Sequence, residues 1–433
     1  MPLPPSGVPQ NYTLTFSDEF NGTELDAWTG HGSDGLWATS FSPHLDDTRT
    51  ITANGESQWY VDPDDTTLPN PFEVSNGTLK ITAQEVPTAD QGQTGGLPYA
   101  SGLLTTEMTF AAETGYFEMR ADVPDVEGFL SAMWLLPADG DWTAEIDIFE
   151  QLGSDTDTLN TNVWDNGVPD EGRDVIAGLG DGMHTFGVHW TETEISWIVD
   201  GVTVRTVANT VNEPMFLAVS LAVGTNWTGP VPNGADISQP FEIDYIRIYE
   251  DGANTDTQVY DGTNASESLF GTRWDDEFRG RQGDDIMYGR AGDDHIKGNK
   301  GADELFGQEG NDRLQGGQDN DKLIGGDGTD TLVGGKGNDN LWGGSFSGGD
   351  GERDIFVFKT HQGGSDLVHD FEIGIDDIKL KHFNTTWTDV QAAMDDQGWA
   401  TVIDLAALGG QAGDRVSILN VAAADLTQSD FIL

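Results

Sequence analysis

Three carboxylates stand within six residues at Glu145-Ile146-Asp147-Ile148-Phe149-Glu150. Ile146, Ile148 and Phe149 favour a strand, and a strand sends alternate side chains to opposite faces. Glu145 and Asp147 therefore share one face, while plain alternation would put Glu150 among the isoleucines. One extra residue near Ile148-Phe149, a β-bulge, returns Glu150 to the acidic face. Two carboxyl groups on one face, one ionised and one protonated, are what cleavage of a glycosidic bond requires. A separation of roughly 5–5.5 Å implies a covalent intermediate and retained stereochemistry. Asp147 between the glutamates adds like-charge repulsion, which keeps one acid protonated near neutral pH. Acidic triplets also arise by chance in so acidic a chain, so the surrounding sequence has to decide.

A strand of this kind needs a sheet. Phe117, Met119, Ala121 and Val123 alternate with polar residues, a half-buried strand. Phe129 to Leu136 is nearly all apolar and reads as a strand buried on both faces. Ile195, Trp197 and Val199 alternate up to the Asp200-Gly201 turn, after which Val202 and Val204 return, a hairpin. Helical periodicity is scarce, and short strands separated by Gly, Asn and Asp turns predict an antiparallel sandwich. A groove for sugars also needs flat apolar surfaces. Trp142 beside the acidic strand is the first candidate for stacking on a sugar. Trp134, Trp164 and Trp227 follow, with burial in the core as the ordinary alternative for each of these three.

The hexapeptide and its flanks resemble glycoside hydrolase family 16 in its bulged, laminarinase-like form. Phe16-Ser17-Asp18-Glu19-Phe20, Thr114-Gly115-Tyr116-Phe117-Glu118-Met119-Arg120-Ala121 and Met133-Trp134-Leu135-Leu136-Pro137 precede it. His184-Thr185-Phe186, Trp197-Ile198-Val199-Asp200-Gly201 and Ile243-Asp244-Tyr245-Ile246-Arg247-Ile248-Tyr249 follow, in the family's order. The resemblance implies a β-jelly roll over 12–250 with the acidic strand on the concave sheet. It also implies Glu145 as nucleophile, Glu150 as acid/base and Asp147 as the residue that assists them. Two departures affect the sugar subsites: Ser101-Gly102-Leu103-Leu104 lacks an arginine common in the family, and Thr161-Asn162-Val163-Trp164 lacks a histidine. Asp244 is one candidate ligand for a jelly-roll calcium, with an ordinary strand-edge carboxylate as the alternative. His184 and His189 read as hydrogen-bonded structural residues.

Residues 1–11 form a Pro-rich arm and 251–261 a polar linker. From 262 to 351 a period of nine follows, clearest in units starting at Gly280, Gly289, Gly298, Gly307, Gly316, Gly325 and Gly334. Its sixth position holds Asp276, Asp285, Asp294, Asp303, Asp312, Asp321, Asp330 and Asp339; its eighth is apolar, from Phe278 to Leu341. One apolar residue per nine is too thin a core alone, and stacked aspartates repel. A hard dication held by carboxylate and carbonyl oxygens removes the repulsion and supplies stability. The pattern resembles the RTX parallel β-roll, which implies Ca²⁺ as cofactor and these aspartates as ligands. Residues 352–433 look like the C-terminal region of RTX exoproteins, which carries an uncleaved signal for type I secretion. The expected fold class is thus all-β, an antiparallel jelly-roll sandwich followed by a parallel β-roll.

Lys plus Arg number 20 against 75 Asp plus Glu, a formal charge of −55. Residues 1–250 hold six basic side chains against forty acidic ones, so the excess is not confined to the repeats. Such a chain excludes nucleic acid and anionic membranes as partners. Without cysteine it has no disulfides, and a metal takes over that stapling role. No apolar run spans a bilayer, and Met1-Pro2-Leu3-Pro4-Pro5 has neither the charged start nor the apolar run of a signal peptide. The expectation is a secreted, calcium-stabilised retaining endo-β-glycanase, exported by a type I apparatus, whose partner is a polysaccharide. The architecture looks like that of rhizobial glycanases acting on succinoglycan-type exopolysaccharide. A laminarinase or licheninase acting on neutral β-glucan, a calcium-dependent glycan-binding adhesin, and a polysaccharide lyase are the alternatives.

Overall fold

The structure is a computed structural model. It describes residues 11–27, 36–41, 49–107, 109–138, 143–211, 213–251, 257–345, 348–360 and 363–433. The chain divides into two compact units, one of which ends at Asn254 and the other of which holds Thr255–Leu433.

The first unit is a sandwich of two antiparallel sheets, a jelly roll. One sheet runs Val202–Ala208, Glu194–Val199, His184–Trp190, Gly115–Asp122, Phe241–Asp251, Thr78–Ile81, Phe72–Ser75, with Tyr12–Asp18 also on Phe241–Asp251. The other runs Val168–Val175, Thr158–Asp165, Ala144–Leu152, Phe129–Pro137, Met215–Val223, Leu103–Thr105. Strand alternation divides the second sheet by face. Ile146, Met133, Leu135, Val163, Leu217 and Val219 point into the core between the sheets, where they meet Phe117, Met119, Phe186, Val188 and Trp197. The other face of the same sheet carries a smaller apolar layer in which Ala132, Trp134, Leu136, Phe216 and Ala218 join Phe41, Tyr60 and Leu103. This second layer explains why Phe129–Pro137 reads as apolar throughout: both of its faces are covered.

The second unit winds into two parallel sheets whose strands pair with the strand eighteen residues on, as in Ile296↔Leu314↔Leu332 and Leu305↔Leu323↔Leu341. Successive nonapeptides thus alternate between sheets, and two make one coil. The eighth-position side chains Phe278, Met287, Ile296, Leu305, Leu314, Leu323, Leu332 and Leu341 are fully buried in a single stack. That stack does not stop where the regular repeat does. Ile355–Val357, Asp377–Lys379 and Phe431–Ile432 extend one sheet, and Ser365–Val368 and Arg415–Leu419 extend the other. Phe356, Val368, Ile378 and Ile418 carry the core onward. The region read from sequence as a separate stretch over 352–433 is, in the structure, the continuation and end of the roll. Ala400–Asp404 and Met394–Asp396 pair antiparallel beyond Arg415–Leu419, and one short helix, Trp387–Ala393, is capped by Thr386 and Asp389. Among the described residues, no helix is long and apolar enough to cross a membrane.

Candidate active site and calcium ladder

Strand Ala144–Leu152 carries the three acids. Against Phe129–Pro137 its register runs Ile146↔Leu135 and Asp147↔Trp134, then resumes at Phe149↔Met133 and Glu150↔Ala132, leaving Ile148 as the inserted residue. Against Thr158–Asp165 it runs Glu145↔Trp164, Asp147↔Asn162 and Glu150↔Asn160. Ile146, Ile148 and Phe149 all enter the core, so the bulge lets two adjacent apolar residues point inward and leaves Glu150 on the face of Glu145 and Asp147.

The bulge is held from the opposite sheet. Trp197 Nε1 donates to the main-chain carbonyl of Asp147 at 2.8 Å, and both groups are buried. The Phe149 ring stacks on Phe186 at 4.5 Å. Asn160 Nδ2 donates to the carbonyl of Glu150 at 3.0 Å. Arg205 lies 4.5 Å over the Trp197 ring and bonds Thr161 Oγ1 at 3.0 Å and Asp170 at 2.6 Å, tying the adjoining strands together.

The electrostatics follow from burial. Asp147 is 3 % exposed. Desolvation pushes its carboxyl well above the usual range, the charges of Glu145 and Glu150 push the same way, and Asn162 opposes them. Asp147 therefore holds a proton, which it donates to Glu145. Burial raises Glu145 above its ordinary value, and the hydrogen bond from Asp147 opposes that rise without cancelling it. Burial, then Glu145, then Glu171 push Glu150 up to about 8. Near neutral pH Asp147 is neutral and bonded to Glu145, and Glu150 is protonated. The environments split chemically similar acids into distinct roles.

The aromatic candidates separate. Trp134 lies on the acidic face beside Asp147 but is 8 % exposed and packs edge-on against Phe41 at 5.6 Å. Trp164, directly across from Glu145, is 38 % exposed, and Trp227 is exposed in a loop. Trp142 lies outside the described residues. His184 bonds Asp200 at 2.7 Å and the Gly178 carbonyl at 3.0 Å, and His189 bonds Tyr12 at 3.1 Å. Asp244 is paired with Arg120. Sequence reasoning missed Trp197, whose partner is fifty residues away on the other sheet, and Glu171, which has no local motif.

In the roll the aspartates form a ladder. The main-chain N–H of Asp276, Asp285, Asp294, Asp303, Asp312 and Asp321 donates to Oδ1 of Asp294, Asp303, Asp312, Asp321, Asp330 and Asp339, at 2.7–3.0 Å. The second oxygen, Oδ2, of Asp285, Asp294, Asp303, Asp312, Asp321, Asp330 and Asp339 is buried with no hydrogen-bond partner. These oxygens face space that a side chain would fill. A Cβ on Gly280 would sit 2.5 Å from Asp285 Oδ2 and 2.8 Å from the Gly298 carbonyl oxygen. A Cβ on Gly289 would meet Asp294 Oδ2 and lie 2.7 Å from the Gly307 carbonyl oxygen. Burial drives Asp294 to about 10 and Asp321 and Asp330 to about 9. Seven orphaned carboxylate oxygens beside main-chain carbonyls fit a hard dication and nothing softer. No group of three or more His, Asp or Glu side chains among the described residues is placed to hold a metal, so carbonyls would have to complete each shell. Asp276 differs, because its Oδ2 accepts from Thr272 N at 2.6 Å and Oγ1 at 3.1 Å. The ladder continues irregularly to Asp354, Asp366 and Asp376, whose Oδ1 atoms accept from Asp330, Asp339 and Asp354 N. The spacing breaks there, but each keeps an apolar residue two positions later, at Phe356, Val368 and Ile378, a signal that could have found them.

Comparison with known proteins agrees with both halves. Residues 61–247 match the model of glycosyl hydrolases family 16, and 261–296, 288–323 and 324–351 match the RTX calcium-binding nonapeptide repeat. The chain therefore combines a family 16 glycosyl hydrolase domain with calcium-binding RTX repeats. It is 41% identical over 242 residues to the endo-1,3-1,4-beta-glycanase ExsH of Rhizobium meliloti, a match covering 54% of this chain and 51% of that protein. It is 38% identical over 244 residues to EglC, an endo-1,3-1,4-beta-glycanase of the same organism, covering 55% and 51%. The chain spans about half the length of these curated relatives. Among solved structures, the laminarinase catalytic domain of Thermotoga maritima is 27% identical, with a TM-score of 0.46, covering 55% of this chain and 98% of that one.

Proposed function

We propose that the chain is a secreted, calcium-stabilised retaining endo-β-glycanase that cuts 1,3- and 1,4-linked β-glucosidic bonds within an exopolysaccharide or β-glucan. The observation that carries this reading is the bulged strand, which sets Glu145, a proton-holding aspartate and a glutamate protonated up to about pH 8 on one face. Glu145 attacks the anomeric carbon while Glu150 gives its proton to the departing glycosidic oxygen. The glycosidic C–O bond breaks as the ester bond to Glu145 forms. Water then attacks the same carbon, Glu150 takes the water's proton, and Glu145 leaves as carboxylate, so the configuration is inverted twice and retained. Asp147 holds Glu145 in place and, by keeping its own proton, adds no second negative charge beside the attacking carboxylate. Trp164 is the exposed ring beside Glu145 on which a sugar would stack; Trp142 and Trp134 remain proposed substrate contacts from the sequence.

The roll would hold Ca²⁺ through Asp285, Asp294, Asp303, Asp312, Asp321, Asp330 and Asp339 with neighbouring carbonyls. Bound calcium supplies charge neutralisation and cross-linking between coils, not bond cleavage. The proposed route is type I export, with folding where calcium is plentiful. The catalytic reading is tested by reducing-end release from mixed-linkage β-glucan, laminarin and an acidic exopolysaccharide. Glu145→Gln should abolish release while glycan binding persists. Release by that variant at the parental rate, or ultraviolet-absorbing unsaturated ends, would remove the hydrolase assignment. Export that survives deletion of 351–433 would remove the routing.

A further inference from the structure

The charge of −55 makes any concentration of cations in this chain informative. One exists on the sheet of the roll built from Glu277–Arg279, His295–Lys300, Arg313–Gln318 and Thr331–Lys336. A trough of about 620 Å³ there is lined by Arg279, Arg281, Lys300 and Lys336 together with the amides of residues such as Asn299, Gln315 and Gln318, and by no carboxylate. Arg279 and Arg281 are partly answered at its rim by Asp261, at 3.6 and 3.2 Å, and Arg279 also by Glu277 at 3.0 Å. Lys300 and Lys336 make no ion pair among the described residues and are exposed.

Coil winding fixes the spacing of these cations. Lys300, Gln318 and Lys336 occupy one column of the parallel sheet. Free ammonium groups therefore recur on every second strand, about 9–10 Å apart at the ordinary strand spacing, with an amide between them. Lysines as point charges suit scattered carboxylates, and the amides suit hydroxyls. No aromatic ring lines the trough to stack a nucleobase. We infer that this face of the roll is a binding site for an extended anionic polysaccharide bearing a carboxylate about every second sugar, held by Lys300 and Lys336 with the intervening amides. The choice of a glycan over another polyanion rests on the hydrolase reading of the first unit; the cation column does not. A second, non-catalytic grip of this kind would keep an acidic polymer on a protein whose overall field repels it.

The test uses the full chain with calcium in the Glu145→Gln background, so that failure of the hydrolase reading leaves the binding result intact. Hyaluronate, with one carboxylate per disaccharide, is titrated at low and high salt, with neutral dextran and double-stranded DNA as comparisons. Hyaluronate should bind, salt should weaken it, and dextran should not bind. Lys300→Gln with Lys336→Gln should raise Kd about tenfold, two exposed carboxylate contacts of roughly 0.7 kcal/mol each. Lys322→Gln, on the other sheet, should leave Kd unchanged. Calcium-dependent melting reports whether each variant folds, and Lys336→Gln alone, read as a smaller rise, serves if the double variant does not. Equal binding by the double variant, equal loss from Lys322→Gln, binding of dextran, or DNA bound as tightly as hyaluronate would overturn the proposal.

Discussion

Replacing Trp197 by Phe should disarm the site without touching a carboxylate. The indole N–H is the donor to the Asp147 carbonyl at 2.8 Å, and Trp197 is fully buried in the core. Phenylalanine keeps an aromatic face under Arg205 but takes from that buried carbonyl its indole donor. A buried polar group left without its partner costs about 1–3 kcal/mol, and the smaller ring adds some lost packing. The same bond fixes the peptide at which the strand departs from regular pairing. Its loss should therefore loosen the aim of Glu145 relative to Glu150. Urea unfolding of the first unit should show the 1–3 kcal/mol loss. Steady-state hydrolysis of mixed-linkage β-glucan should show kcat down at least tenfold, about 1.4 kcal/mol of transition-state stabilisation, with KM little changed because the sugar-facing surface is intact. If stability falls by that amount while kcat is unchanged, the bulge does not depend on the opposite sheet and the reasoning fails.

Other consequences follow from the same geometry. Glu150 must be protonated to act as an acid, and its upward shift to about 8 keeps it so below that pH; kcat/KM should fall as pH rises past about 8. Glu171 contributes to that shift, so Glu171→Gln should move the alkaline limb to lower pH, measured on the same substrate. Leu314→Ala removes a fully buried side chain from the stack in the roll and should cost about 2–5 kcal/mol in calcium-saturated unfolding. In chelator the roll should respond to acid in an unusual direction. Asp321 and Asp330 hold their protons to about 9 when folded against an ordinary 3.8. The folded state then binds more protons than the unfolded one between those values, so stability should fall as pH rises from about 4 to 9. Saturating calcium should abolish that dependence, as read by melting temperature.

The acidic strand was legible because its evidence is local: six consecutive residues state both the alternation and the interruption that restores it. The roll was legible for a similar reason, since a strict nine-residue register carries its own pairing rule. What the sequence hid is non-local or irregular. Trp197 reads as one more inward residue of a hairpin, and nothing near it reveals that its N–H serves a carbonyl fifty positions earlier. Trp134 and Trp164 look alike in sequence, yet one lies under Phe41 and the other lies open beside Glu145, a difference set by a segment far along the chain. The roll's continuation through Asp354, Asp366 and Asp376 was masked by insertions that break the period while the aspartate and its apolar follower persist. The cation column appears only when residues eighteen apart are laid side by side.

The pairing of a nucleophilic Glu145 with a proton-donating Glu150 is tested most directly by following the anomeric protons of newly released ends during hydrolysis of a mixed-linkage β-glucan, by NMR. The β anomer should appear first and only later equilibrate with the α form. First appearance of the α anomer would mean single displacement by water and would contradict the assignment of Glu145.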